Sequence, residues 1–253
     1  MIPVMETLIT ELAAALAKAE RVTMITGAGV SAESGVPTFR GPDGLWRGHD
    51  PTQLATPQAF AADPDLVWEF YNWRRELIAS VEPNPAHYAI AKLEQLLGET
   101  FLLVTQNVDG LHRLAGSRNL IEIHGSLWTI RCTECGAEKQ DRSTLPPRPL
   151  CESCSGLMRP GVVWFNEAMP ELDWMRTIEA CQNTTLLLVA GTSAVVQPVA
   201  SLAMAAKSLG ATVAEINLDP TPNSEHMDYF LQGKAGEILP RVAEETSKHN
   251  VKT

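Results

Sequence analysis

Four short apolar runs constrain the fold of this chain more than any other feature of its sequence. They are Val22–Thr26, Phe101–Thr105, Leu186–Ala190 and Thr212–Asn217. Continuous apolar runs of this length are typical of strands that are buried on both faces of a parallel sheet. Helical patterns lie between some of them, at Pro85–Leu97 and at 198–209. This alternation of strand and helix predicts an α/β fold with a doubly wound parallel sheet.

Two segments interrupt the alternation and predict a second, smaller module. Residues 42–83 are rich in tryptophan and carry a helical pattern at 63–81, and residues 126–162 contain four cysteines. We interpret the first as a helical insertion and the second as a zinc-binding module. The Rossmann-like domain would then consist of residues 1–41, 84–125 and 163–253. A cleft between this domain and the smaller module is the natural place for an active site.

The cysteine spacing indicates a metal site. Cys132, Cys135, Cys151 and Cys154 follow the pattern C-x2-C-x15-C-x2-C, which matches a zinc ribbon. Four sulfur ligands fill a tetrahedral Zn²⁺, so we expect one structural zinc ion with no position open for water. A redox role for one pair is the alternative, whereas disulfides are disfavoured in a cytoplasmic protein. The fifth cysteine, Cys181, precedes an apolar run and is expected to be a small buried residue.

Composition and charge exclude several classes of protein. With 253 residues, of which 45% are hydrophobic, the chain can bury one substantial core. The net charge of -10 and the lack of a basic run argue against nucleic acid as a partner. No stretch approaches the roughly 18–20 apolar residues of a membrane span. The N-terminal segment is acidic and lacks the basic start of a secretory signal, so we expect a cytoplasmic monomer.

A glycine-rich loop follows the first apolar run. Residues 27–35 read GAGVSAESG, and glycines at such a position let backbone amides approach a pyrophosphate. The third glycine comes too late for the dehydrogenase fingerprint G-x-G-x-x-G. A tight strand-to-helix turn without a ligand is the alternative interpretation of this loop.

Residues 27–46 as a whole resemble the NAD-binding signature of sirtuins, GAG-x-S-x-x-SG-x-P-x-FRG-x-x-GLW. Further blocks follow in the order of that family: TQNVDGLH at 105–112, a His-Gly pair at 124–125, GTS at 191–193, VQP at 196–198 and EIN at 215–217. The resemblance covers about residues 8 to 241. It implies an NAD-dependent protein-lysine deacylase that uses NAD, carries a structural zinc ion and acts on acyl-lysine in protein substrates, releasing nicotinamide and O-acyl-ADP-ribose.

The resemblance also implies roles for individual residues. His124 would act as general base on a ribose hydroxyl, whereas His112 would brace the loop. Asn107 would orient the ribose and water, and Asp109 would hold the nicotinamide carboxamide. The implied NAD-binding residues are Gly27, Ala28, Gly29, Ser31, Ser34, Gly35, Thr38, Phe39, Arg40, Trp46, Gln106, Asn107, Asp109, Gly191, Thr192, Ser193, Asn217, Leu218, Asp219 and Ala235.

Four positions resemble the sirtuin subgroup that removes succinyl, malonyl and glutaryl groups. Thr38 replaces the aspartate of most sirtuins, and Ala55 stands where that subgroup keeps a small residue that widens the acyl pocket. Tyr71 and Arg74 share a helix face at i and i+3, and a phenol beside a guanidinium can bind a carboxylate. The alternative is a packed aromatic ring and a solvated arginine. We therefore expect a desuccinylase or demalonylase that also deacetylates.

The peptide substrate would pair with the segment formed by Val163, Trp164, Phe165 and Asn166, in which Asn166 replaces the glycine of most relatives. Two other functions remain open. Transfer of ADP-ribose to a protein side chain would use the same pocket. A non-enzymatic NAD-sensing or zinc-ribbon module would bind NAD without releasing nicotinamide.

Overall fold

The computed structural model describes residues 2–38 and 46–250; the predicted NAD contacts of Phe39 and Arg40 lie outside these residues. The helices are α1 (Ile2–Lys18), α2 (Ala28–Ala32), α3 (Pro51–Leu54), α4 (Pro57–Ala62), α5 (Pro64–Ala79), α6 (Pro85–Leu97), α7 (Leu111–Leu114), α8 (Glu171–Asn183), α9 (Leu202–Ser208) and α10 (Ala235–Asn250). The strands are β1 (Val22–Thr26), β2 (Phe101–Thr105), β3 (Leu120–Glu122), β4 (Gly125–Cys132), β5 (Glu138–Gln140), β6 (Met158–Val162), β7 (Leu186–Ala190), β8 (Thr212–Asn217) and β9 (Tyr229–Gln232).

The main sheet is a parallel, doubly wound sheet, as predicted. Within the described residues it has six strands in the order β3-β2-β1-β7-β8-β9, and every neighbouring pair is parallel. This is the Rossmann-like order, in which the chain winds outward from the centre in both directions. All four apolar runs form strands with the predicted bounds. The helical pattern at 198–209 is only partly helical, because a 3-10 turn at Val199–Ser201 precedes α9.

Helices cover both faces of this sheet. Side chains alternate along each strand, so Met24 and Leu188 join the core under α1, α6 and α10, while Ile25 and Val189 join the core under α8 and α9. All of these side chains are nearly or fully buried. Burial on both faces explains why the strands are continuous apolar runs in the sequence.

The helical insertion and the cysteine-containing segment share one core. Strands β4, β5 and β6 form a small antiparallel sheet. Helix α5, which begins after its N-cap Asp63 with Pro64 at the first position, packs against this sheet. The indole of Trp68 donates to the carbonyl of Met158 at 2.9 Å, and Arg75 donates to the carbonyl oxygens of Asp141 and Ser143. The residue boundaries of the two segments stay predictions.

The two glycine-containing loops that follow β1 and β7 contact each other through backbone hydrogen bonds. The Gly27 amide donates to the carbonyl of Ala190 at 3.1 Å, and the Gly29 amide donates to that of Gly191 at 2.8 Å. A Cβ added to Gly29 would lie 2.8 Å from the Cα of Gly191. Gly191 has a φ of +60°, and its own Cβ would collide with the backbone of Gly29 and Val30. Glycine is therefore required here for backbone packing.

No helix among the described residues is both long enough and apolar enough to cross a lipid bilayer.

We expect Gly191→Ala to lower the free energy of unfolding by more than about 2 kcal/mol, because it adds a backbone collision to a left-handed conformation. Gly210→Ala is the matched control, since Gly210 has a φ of +96° with nothing within 4 Å of an added Cβ. It should cost about 1 kcal/mol. Urea titration of both variants measures the difference, and equal losses would refute the packing explanation.

Candidate active site

A cavity of about 780 Å³ opens at the carboxyl ends of β1 and β7. The strand order reverses between these two strands, which is where doubly wound sheets bind their ligands. The smaller module closes the other side. The predicted residues that line the cavity are Gly27, Ala28, Gly29, Ser31, Thr38, Ala55, Tyr71, Arg74, Gln106, Asn107, Asp109, His124, Val163, Trp164, Phe165, Asn166, Gly191, Thr192, Ser193, Asn217, Leu218, Asp219 and Ala235.

Three predicted NAD-binding residues of the described chain do not line this cavity. Trp46 is buried in the core of the smaller module, with its ring centroid 5.5 Å from that of Phe70. Ser34 accepts a hydrogen bond from the side chain of Asn84 at 3.0 Å. Gly35 occupies a turn with a φ of +91°. The packing and turn geometry account for these residues, and their contact with NAD stays a prediction.

A buried hydrogen-bond network fixes the floor of the cavity. The Ser31 hydroxyl donates to Asp109 at 2.7 Å and accepts from the amide of Asn107 at 3.0 Å. His87 accepts from the backbone of Asn84 through Nδ1, so its Nε2–H faces Ser31 Oγ at 3.3 Å. Asn107 also donates to the carbonyl of Gly27 at 3.1 Å. The network therefore holds Asn107 and Asp109 in fixed orientations.

Burial raises the pKa of Asp109, although hydrogen bonds from the Leu111 amide and Ser31 oppose the shift. Burial also lowers the pKa of His87 to about 4. It lowers that of His112 well below its ordinary value. His112 does not line the cavity, and its Nε2 lies 2.9 Å from Thr26 Oγ1. This position fits the bracing role that we predicted for His112.

His124 is the cavity histidine, and its geometry suits a general base. Its Nδ1 lies 3.1 Å from the carbonyl oxygen of Gln106, which can only accept, so Nδ1 carries the proton. The lone pair is then on Nε2. Burial lowers the pKa of His124, and the hydrogen bond to Gln106 opposes this only in part. At neutral pH the ring is therefore neutral and can accept a proton at Nε2.

The segment at 162–167 connects His124 to the smaller module. The Val163 amide donates to the carbonyl of His124 at 2.8 Å, and the Phe165 amide donates to that of Ala55 at 2.9 Å. Asn166 has a φ of +69°, a left-handed conformation that favours glycine and that asparagine tolerates best among the other residues. The replacement of glycine by asparagine therefore keeps a backbone conformation that glycine would also adopt.

Tyr71 and Arg74 lie together in the cavity wall. Both are buried, with exposed fractions of 3% and 7%. The Tyr71 hydroxyl accepts a hydrogen bond from the indole of Trp164 at 2.8 Å, and the guanidinium of Arg74 lies 5.8 Å from the ring centroid of Phe70. Burial lowers the pKa of Arg74 while Tyr71 and Asp109 oppose the shift, and arginine keeps its proton in proteins. The solvated arginine that we considered as an alternative does not occur.

The four cysteines of the two C-x2-C motifs form a cluster that fits Zn²⁺. Their Sγ atoms all lie within 4.8 Å of one another, and the Cys132–Cys154 and Cys135–Cys151 pairs are 3.4 and 3.7 Å apart. A tetrahedral ion with Zn–S bonds of about 2.3 Å requires sulfur separations of about 3.8 Å. All four are free thiols rather than disulfides, and they do not line the cavity. The ion would join the turn that contains Cys132 and Cys135 to the turn that contains Cys151 and Cys154.

Sequence reasoning missed two groups that support the cavity. His87 and Asn84 lie behind Ser31. The signal that could have identified them is the helix-start pattern N-P-A-H at the beginning of α6. Arg159 and Glu167 form an ion pair beside Trp164. A charged residue inside the otherwise apolar β6 is the signal that could have identified Arg159.

Comparisons with known proteins agree with this site. A family model described as the Sir2 family matches residues 27–198. The chain is 50% identical to NAD-dependent protein deacylase 2 of Pyrobaculum aerophilum over 92% of its own length and 94% of that protein. It is 49% identical to NAD-dependent protein deacylase 1 of Archaeoglobus fulgidus, covering 92% of this chain and 96% of that one.

Solved structures show the same fold. A Sir2 homologue in complex with NAD superposes with a TM-score of 0.91 at 48% identity, over 95% of this chain and 94% of that one. A Sir2 variant bound to a deacetylated p53 peptide and 3′-O-acetyl ADP-ribose superposes with a TM-score of 0.83 at 31% identity, over 93% and 97% of the two chains.

We expect Cys151→Ser to lose bound zinc and to lower the Tm by about 10 °C, because several kcal/mol of metal binding contribute to folding. Cys181→Ala is the control, since Cys181 is a buried residue of α8 and is not part of the four-cysteine cluster. It should keep one zinc ion per chain. Elemental analysis and differential scanning calorimetry measure both effects. Zinc retained in Cys151→Ser, or lost in Cys181→Ala, would contradict the assignment.

Proposed function

The chain belongs to the Sir2 family and is an NAD-dependent protein deacylase, and we propose that it prefers lysine side chains whose acyl group ends in a carboxylate. Succinyl and malonyl groups have this chemistry, and acetyl would be a poorer substrate. The observation that carries the proposal is the buried pair of Tyr71 and Arg74 in the wall of the cavity.

The guanidinium of Arg74 is buried and interacts electrostatically with Asp109, and water screens a further charge contact only weakly in such a place. The described positive side chains that line the cavity are Arg74 and Lys234, and Lys234 is exposed and lies 3.8 Å from Glu237. Glu167, which also lines the cavity, is paired with Arg159. A substrate carboxylate would meet Arg74 in a desolvated place, where charge-assisted hydrogen bonds are strong.

The position of this pair relative to His124 suits an acyl-lysine substrate. Tyr71 contacts Trp164, and the neighbouring Val163 donates to the carbonyl of His124. Tyr71 and the proposed base therefore contact neighbouring residues of one short segment. A peptide that pairs with this segment would direct its acyl-lysine between them. The small side chain of Ala55 leaves room there for a longer acyl chain.

In this mechanism, bound NAD supplies the reactive bond between nicotinamide and ribose together with the ADP-ribose that accepts the acyl group. Ala28 and the residues of the 191–193 loop would contact its phosphates, whereas the amides of Gly27 and Gly29 donate to the carbonyls of Ala190 and Gly191. His124 accepts a proton from a ribose hydroxyl at Nε2. Asn107 and Asp109, held by Ser31, orient the groups that react. The acetyl ADP-ribose in the related complex supports O-acyl-ADP-ribose as the product.

Arg74→Met should lower kcat/KM for a succinyl-lysine peptide by about 30-fold or more, equivalent to about 2–5 kcal/mol for a desolvated charge contact. The matched acetyl-lysine peptide has no carboxylate and should change little. Nicotinamide release with both peptides measures the effect. Arg148→Met is the control because Arg148 lies in the smaller module, is exposed and pairs with Asp65.

Three outcomes of this experiment count against the proposal. A wild-type preference for acetyl that Arg74→Met leaves intact would make Tyr71 and Arg74 packing residues of a plain deacetylase. Release of nicotinamide with ADP-ribose attached to protein, and no deacylation, would establish ADP-ribosyl transfer instead. NAD binding without nicotinamide release would indicate a sensing module.

The pKa direction of His124 predicts the pH dependence of turnover. The base must be neutral, and its pKa is lowered, so kcat/KM should fall only as the pH drops through a value below the ordinary 6.5 of histidine. His124→Ala should lower the rate by about 10²–10⁴-fold, whereas His249→Ala should leave the profile unchanged. A decrease of kcat/KM at acid pH that has its midpoint above 6.5 and remains in His124→Ala would rule out His124 as the general base.

A further inference from the structure

The ion pair of Arg159 and Glu167 lies beside Trp164, which in turn contacts Tyr71. Arg159 on β6 donates to Glu167 through Nη1 at 2.5 Å and through Nη2 at 2.9 Å, so the contact is bidentate. Nη2 also donates to the carbonyl of Val162 at 3.0 Å. The two side chains are only 10% and 20% exposed. A buried bidentate pair of this kind is rigid, because each partner fixes the plane of the other.

This ion pair holds Trp164 at two points. The second carboxylate oxygen of Glu167 accepts from the Trp164 backbone amide at 2.8 Å. The guanidinium carbon of Arg159 lies 3.5 Å from the centroid of the Trp164 ring and covers its face. Backbone and ring are thus both fixed, which leaves the indole N–H a single direction.

That direction points at Tyr71. The indole donates to the Tyr71 hydroxyl at 2.8 Å, and an indole N–H can only donate. The Tyr71 oxygen is therefore an acceptor in this contact, and its own proton is left to donate elsewhere. Burial raises the pKa of Tyr71 to about 12, so the phenol keeps that proton at neutral pH. A carboxylate in the cavity needs such a donor beside Arg74.

We propose that Arg159 and Glu167 are positioning residues for acyl recognition, which act through Trp164 to orient the hydroxyl of Tyr71 toward the substrate carboxylate. This inference rests on the proposed carboxylate preference. It differs from a general support of the peptide-pairing segment, because general support would affect every acyl group equally. Orientation of the Tyr71 donor affects only substrates that carry a carboxylate.

The test measures kcat and KM for matched succinyl-lysine and acetyl-lysine peptides in Glu167→Gln and Arg159→Lys. Either change removes the bidentate contact while nearly keeping the side-chain size. We expect kcat/KM for succinyl to fall about tenfold, the effect of one hydrogen bond to a charged group, mainly through KM. The acetyl value should fall less than about threefold. Asp65→Asn is the control, since it breaks the bidentate Asp65–Arg148 pair of the same module.

A double-mutant cycle with Tyr71→Phe identifies the path of the effect. Once the hydroxyl is absent, Glu167→Gln should cause no further succinyl-specific loss. Trp164→Phe removes the indole donor together with part of the ring that Arg159 covers, so it should lower succinyl turnover more than acetyl turnover. If Tm and acetyl turnover show that the ion-pair variants do not fold, the Trp164→Phe variant tests the path from Trp164 to Tyr71 in their place.

Equal losses for both peptides, or a succinyl loss that persists in the Tyr71→Phe background, would overturn the positioning role. The wild-type preference for succinyl would then still uphold the proposed function. If the unaltered protein shows no such preference, the proposed function fails first, and the positioning role fails with it before any variant is needed.

Discussion

The cavity depends on one close contact between two backbone loops. The Gly29 amide donates to Gly191, and neither residue has room for a Cβ. This contact joins the carboxyl ends of β1 and β7, the two strands at which the strand order reverses. The glycines also keep side chains away from this part of the cavity, where we expect the phosphates of NAD. Ser31 lies in α2, directly after the first of these loops, and its hydroxyl contacts Asn107 and Asp109, so the positions of these side chains depend on the contact as well.

Much of the fold followed from the sequence because its physical signal is local. Strands buried on both faces are continuous apolar runs, and four of them were predicted with their bounds. The edge strand β9 was not predicted, since it is four residues long and only partly apolar. The start of α9 was also wrong, because a 3-10 turn replaces its first helical turn. Such short elements are set by their neighbours in the fold rather than by their own sequence.

The candidate site was predictable where ordered motifs carry it, and less so where contacts are tertiary. The cysteine cluster and His124 lie as their motifs implied. Trp46 belongs to the sirtuin signature but packs in the core of the smaller module. The ion pair of Arg159 and Glu167 had no motif of its own, because its partner Trp164 becomes informative only when the segment folds against Tyr71. Side chains that act through other side chains are the part of a site that sequence patterns reveal least.

The central claim is that the buried positive charge of Arg74 recognises the terminal carboxylate of the acyl chain. The most direct measurement is a competition in one reaction between a succinyl-lysine peptide and the same peptide with the terminal carboxylate converted to a carboxamide. The two acyl groups have nearly the same size and shape, and they differ in charge and in one acceptor oxygen that becomes an NH2 donor. The account predicts that the carboxylate is consumed at least about 30-fold faster, as expected for a charge contact with desolvated Arg74. Consumption of both peptides at the same rate would contradict it.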